Sequence, residues 1–262
     1  MRKLLHGTLA CVILGSLIGC QKETVNVQEE PVSAEVISQL RDMGFGTDNV
    51  QRTEGGYLVE GDMIITPEML NGSLHETKLR IAEVEQYRTT NLVTGLPRNI
   101  TVSVSGSVSS AFSTAVNNAI ARYNAENLRI TFQRVSSGGN INIRIVNTGQ
   151  YIASAGFPTS SGNPYSTINY AKKYTTGYSD GFMTTVVAHE IGHCIGFRHT
   201  DYMNRAYSCG SGGNEGASTV GAIHIEGTPT GPDAASWMLA CLSASTNRPF
   251  NANDKVALAY LY

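Results

Sequence analysis

The run VVAHEIGHCIGFRHTD, residues 186–201, places three histidines and a glutamate in a stretch that otherwise reads as an apolar helix and its exit. His189 and His193 lie four positions apart, so on a helix they share one face a turn apart and can aim two ring nitrogens at one point. Glu190 brings a carboxylate beside that point without directing it there, which is where a general base belongs. Gly192 permits close approach to the helix, and Gly196 is placed to end it in a left-handed turn that a Cβ would resist. The chain can then return and present His199 as a third nitrogen. Three neutral imidazoles with an open fourth position suit a borderline-soft divalent cation such as zinc, held for chemistry rather than for structure.

A lone histidine on an apolar helix is usually a core residue, but here the full H-E-x-x-H-x-x-G-x-x-H stands in one run behind an apolar approach at 184–188. This run resembles the zinc signature of the metzincin metallopeptidases. HEIGHCIGFRH is most similar in wording to the bacterial HEIGH-type peptidases, with astacins and matrixins as more distant relatives. The resemblance implies an α+β catalytic domain. Its parts would be a twisted mixed sheet, a long helix, the active-site helix above a cleft, and a small irregular C-terminal subdomain with a methionine turn and a closing helix. It implies one catalytic zinc on His189, His193 and His199, Glu190 as general base, and protein or peptide substrates. Met238 in SWMLAC is the candidate for the methionine beneath the metal site. The tyrosine that astacins and serralysins carry two residues after that methionine falls on Ala240, so its role does not carry over. A non-catalytic surface-binding lipoprotein on a peptidase scaffold is the alternative reading; loss of Glu190 would mark it, and Glu190 is present.

Elements to position these residues can be read along the chain. RNITVSVS alternates as a strand. Phe112, Ala115, Val116, Ala119, Ile120 and Tyr123 then form one face of a long helix capped by Ser109 or Ser110. LRITFQRV and NINIRIV are further strands, and the strand, helix, strand order predicts a crossover and a mixed sheet. Residues 154–174 are expected to supply the lower sheet edge, where an extended substrate would pair antiparallel by its backbone. Tyr165, Tyr170, Tyr174 and Tyr178 would pack there or line the groove. Residues 202–232 show no clear period, and His224 within them reads as a strand or loop residue. Asp201 is either a solvated loop residue or an anchor for the methionine turn. Asn251 or Asn253 caps a closing helix with apolar Val256, Leu258, Ala259, Tyr260 and Leu261.

The chain has 262 residues, enough for one catalytic domain with an N-terminal extension. Nineteen basic and 21 acidic residues leave a formal charge of -2, so nothing points to nucleic acid. Residues 1–19 read as a signal peptide too short to span a bilayer, and LIGC resembles a bacterial lipobox. Acylation at Cys20 would anchor the protein in the bacterial cell envelope, at the outer membrane or cell surface. An ordinary signal peptide with an incidental cysteine is the competing reading. Of the remaining cysteines, Cys209 and Cys241 are expected to pair, tying the long loop to the methionine turn, with Cys194 a packed thiol.

Residues 20–90 form a linker and candidate pro-segment, and 91–262 the catalytic domain. A short helix is expected within 32–43, then two strands turning at Gly61. VEGDM resembles the F-x-G-D segment of astacin propeptides, which implies that Asp62 fills the open metal position and holds the enzyme latent. Asp62 closing a hairpin is the alternative. Latency would require an activating protease cutting within 71–90, with Arg80 and Arg88 as candidate positions, and such a cut would also release the enzyme from its lipid.

Overall fold

The computed structural model describes residues 31–43, 45–71, 86–216, 221–229 and 232–262. The expected signal peptide, Cys20 and Arg80 lie outside them. The first helix, α1 (Ala34–Asp42), is capped by Ser33, whose hydroxyl accepts from Val36 N. A small antiparallel sheet follows: β1 (Gln51–Thr53), β2 (Gly56–Val59) and β3 (Met63–Ile65), in that order. Glu60 and Gly61 turn between β2 and β3 at positive φ, so the turn expected at Gly61 takes in the residue before it. A short helix, α2 (Pro67–Asn71), occupies what reads in sequence as the end of the second strand. Pro67 at its first position lacks the N–H that a ladder would need, and its fixed φ suits a helix start.

The second layer begins with β4 (Tyr87–Arg88) and β5 (Arg98–Ser105), then α3 (Ser110–Asn124), whose Ser109 hydroxyl accepts from Phe112 N. All six apolar residues expected on one face of α3 are buried. Strands β6 (Ile130–Arg134), β7 (Ile141–Val146), β8 (Ala153–Ser154) and β9 (Thr167–Ala171) complete a five-stranded sheet of order β6-β5-β7-β9-β8. Its pairs are parallel except β8 with β9, so the sheet is mixed and β8 is its antiparallel edge. Tyr170 is fully buried, and Tyr165, Tyr174 and Tyr178 pack against the core, so packing accounts for this run of tyrosines.

Helix α4 (Asp180–Cys194) starts at Ser179, whose hydroxyl accepts from Phe182 N, and every residue from 182 to 194 is buried. A helix apolar on nearly all sides must sit inside the fold. It packs on α3, and Tyr123 Oη donates to Ala188 O at 2.7 Å. After it come α5 (Ala206–Cys209), β10 (Ile223–His224) and α6 (Ala252–Leu261). Helix α6 is capped by Asn251 in a reciprocal box with Asp254. The buried Asp254 carboxylate also accepts from Trp237 N at 3.2 Å and Gln86 Nε2 at 2.7 Å, which ties the closing helix to both ends of the site-bearing region.

Cys209 and Cys241, 32 positions apart in the chain, are joined in a disulfide, and Cys194 is a buried free thiol. Closing a loop of that length removes about 3 to 4 kcal/mol of unfolded-state entropy. Cys209→Ser with Cys241→Ser is therefore expected to lower the chemical-denaturation stability by a similar amount; a change below about 1 kcal/mol would show that the unfolded loop is already constrained.

Candidate metal centre

Helix α4 delivers His189 and His193 from one face, both nearly fully buried. The helix stops because Gly196, at φ 108°, reverses the chain, and Phe197 N donates back to Gly192 O at 2.9 Å. A Cβ at Gly196 would come within 2.8 Å of Leu92 Cδ2, so the close approach there needs glycine as well. The reversal brings His199 under the helix, and Thr200 N then donates to Met238 O at 3.0 Å.

The three rings face one another: His189 and His193 have centroids 4.7 Å apart, and His199 lies 5.3 and 4.9 Å from them. His189 Nδ1 donates to Trp237 O and His193 Nδ1 to Phe197 O, each at 2.9 Å. A carbonyl can only accept, so Nδ1 carries the proton and the Nε2 lone pair is left free. His193 Nε2 is buried with no hydrogen-bond partner. Orphaned buried nitrogen of this kind is costly unless something electrophilic meets it. The third ring's Nδ1 lies 3.0 Å from Glu215 Oε1.

Asp62 enters from the turn before β3. Its Oδ2 lies 3.1 Å from His199 Nε2 and 3.9 Å from His189 Nε2, and the four side chains offer ligand atoms all within 4.8 Å of one another. The segment that carries it is pinned to the sheet edge: Ala155 N donates to Asp62 O and Ile64 N donates to Ala155 O, each at 2.8 Å. The resulting bridge between Met63 and Ala155 is parallel. Phe157 is the one residue beyond 71 in an otherwise separate apolar cluster of Leu40, Met43, Phe45, Val59, Met63, Ile65 and Leu70. Its ring also meets His193 edge-on at 5.6 Å.

Glu190 is buried, and its Oε2 has no hydrogen-bond partner. Burial, then the neighbouring Asp62 charge, pushes its carboxyl well above the usual range. Burial and the neighbouring rings drive His193 well down, and His189 down to about 4, so both are neutral and able to donate lone pairs. His199 is driven up despite its burial, because Asp62 and Glu215 flank it.

Met238 is fully buried against α4: a Cβ added at Gly192 would come within 2.6 Å of its Sδ. The turn is held by Asp201, whose Oδ1 accepts from Ala240 N at 3.0 Å and whose Oδ2 accepts from Ser208 Oγ. Asp201 thus anchors the chain just after Met238 and is not a solvated loop residue. His224, in β10, stands 3.3 Å by its Nε2 from Thr228 Oγ1 and outside the ligand group. Residues 86–89 pair with the later chain: Arg198 N donates to Tyr87 O at 2.9 Å and Thr89 N to Gly196 O at 2.8 Å. Arg88 sits within this paired stretch.

Three imidazoles and a carboxylate converge under an apolar helix, beside a glutamate with one unpartnered oxygen, and this group could hold a metal ion of the kind a metallopeptidase uses. Residues 57–262 match the family model described as dual-action HEIGH metallopeptidase, and the chain belongs to that family. It is thus a metallopeptidase by descent, with proteins or peptides as substrates. No curated protein matches it. Two solved structures of myroilysin are similar to it. One is 17% identical over 65% of this chain and 82% of its own, with a TM-score of 0.45. The other is 20% identical over 71% and 93%, with a TM-score of 0.44.

Proposed function

We propose that the protein is a zinc endopeptidase of the metzincin type, made as an inactive precursor and anchored by lipid at Cys20 in the bacterial cell envelope. The observation that carries the reading is the convergence of His189, His193 and His199 with Asp62 on one point, next to Glu190. His189, His193 and His199 would hold the ion through Nε2. When bound, zinc supplies a Lewis acid that polarises the scissile carbonyl and acidifies the attacking water. Glu190 takes the proton of that water on its free carboxylate oxygen and passes it to the leaving amine. Met238 supports the helix between the two histidines from below. The edge strand β8 and Ala155 offer backbone groups to an extended peptide, which gives affinity with little demand on sequence.

In the precursor the Ala155 backbone groups are taken by Asp62 and Ile64, and Asp62 stands at the ligand position that catalysis needs open. The bridge at Ala155 is parallel, whereas an extended substrate is expected antiparallel, so the pro-segment lies there in the reverse direction. The paired stretch at 86–89 supports ending the pro-segment before Gln86, upstream of the boundary at 91 read from sequence, and favours activation within 72–85 over a cut at Arg88. A cut there would release the catalytic part from its anchor.

The full mature chain, nicked by trypsin within 72–85, is expected to digest casein, to stop when 1,10-phenanthroline removes its metal, and to resume with stoichiometric zinc. Casein digestion that persists after complete metal removal would sink the reading.

A further inference from the structure

His189 and His193 are fixed twice over, by a rigid helix and by carbonyls of the core. His199 is different: it lies beyond the helix end, on an irregular segment, and its ring has no such carbonyl. The structure assigns its orientation to Glu215, 16 residues on in the glycine-rich loop, and we propose that Glu215 is the positioning residue that sets the third ligand and so the retention of the metal. The proposal rests on the metal reading above.

Glu215 is itself held from every side. Its backbone N donates to Tyr202 O at 2.6 Å. Arg205 Nη1 donates to Oε1 at 2.8 Å, and Arg198 Nη2 donates to Oε2 at 3.4 Å. Arg198 is fully buried, reaches Gly216 O at 3.2 Å, and lies over the rings of Phe45 and Tyr202. A carboxylate clamped by two guanidiniums cannot rotate away, so it fixes both the tilt of the His199 ring and the proton on Nδ1. It is also a stronger acceptor than the carbonyls facing the other two rings, which makes His199 Nε2 the most basic of the three donors. Glu60, His199 and Glu215 also bring ligand atoms close together, but the two guanidiniums already supply the positive charge there, which leaves no call for a second cation.

The test uses the full chain. Glu215→Gln keeps the shape and an oxygen acceptor while removing the charge, and Glu60, 3.8 Å from Arg205 Nη1, remains to balance the arginines. Glu215→Gln is expected to bind zinc about 10- to 100-fold more weakly in competition with a chelator, and to change the visible absorption of the cobalt-substituted protein. The metal-free melting temperature is expected to fall as well, because Arg198 and Arg205 lose a charged partner, so the cobalt spectrum decides: a purely structural role would lower the melting temperature and leave that spectrum alone. Zinc affinity within threefold of wild type and an unchanged cobalt spectrum would overturn the proposal. Should the variant not fold, proton NMR of the zinc-loaded wild type decides: a His199 Nδ1–H signal well downfield of those of His189 and His193 supports a charge-assisted bond to Glu215, and one that matches theirs ends the assignment. A wild-type chain that binds no zinc instead refutes the metal reading itself.

Discussion

Glu190→Ala is expected to bind zinc as tightly as wild type and to lose nearly all hydrolysis. Positioned general bases contribute about 10²- to 10⁴-fold, and on the proposed activation, which removes Asp62, no other carboxylate of the described residues belongs to the three-histidine group. Asp62, His189, His193 and His199 form the ligand group without Glu190, so truncating it should leave the metal in place. Glu190→Gln separates charge from shape: it should be as inactive as the alanine variant, because an amide cannot take the proton. The measurement is kcat/KM on a quenched-fluorescence peptide with metal content determined on the same sample. Activity within tenfold of wild type would remove Glu190 from the mechanism and reopen the non-catalytic scaffold reading. Loss of activity together with loss of zinc would instead make Glu190 a structural support.

The second large effect is expected from Asp62→Ala in the unprocessed chain. Charge-assisted contacts of a buried carboxylate are worth about 1.5 to 3 kcal/mol, so their loss should raise the open population, and with it the activity before processing, by roughly tenfold to a hundredfold. The gain should stop short of the processed enzyme. Phe157 remains covered by Met63, Ile65 and their neighbours, and burying one such side chain stabilises by about 1.5 to 3 kcal/mol, comparable to the carboxylate itself. Asp62→Asn should be intermediate, since an amide oxygen ligates weakly. If both variants stay as inert as wild type until they are cut, apolar docking alone holds the precursor closed and Asp62 only closes its turn.

Local elements were legible because their cues are local. Ser109 caps its helix by bonding an N–H three residues on, and Asn251 does so with Asp254 in return. The buried face of α3 follows directly from its 3.6-residue period. The short helix α2 was missed because five residues carry too few turns to show one. Asp201 could be read two ways from sequence, since its partners Ala240 and Ser208 lie in loops whose path no periodicity records. Glu215 was not seen at all. It sits in CGSGGNEGAS, where composition reads as loose surface, yet it is among the most buried carboxylates of the described residues.

By itself the sequence pointed to the three candidate ligands and the candidate base, and it determined the helix that carries His189, Glu190 and His193 and the glycine turn that leads on to His199, because four-residue spacing and a reversal at Gly196 are properties of the backbone within one short run. Only the tertiary structure decided that Asp62 reaches those histidines, that Glu215 with the buried Arg198 and the partly buried Arg205 stands behind the third of them, and that Gln86 joins Asp254 beside the turn that carries Met238. Those contacts join residues far apart in the chain. Each exists because closing a long loop is offset by burying a charge with its partners, a balance that no stretch of neighbouring residues can express.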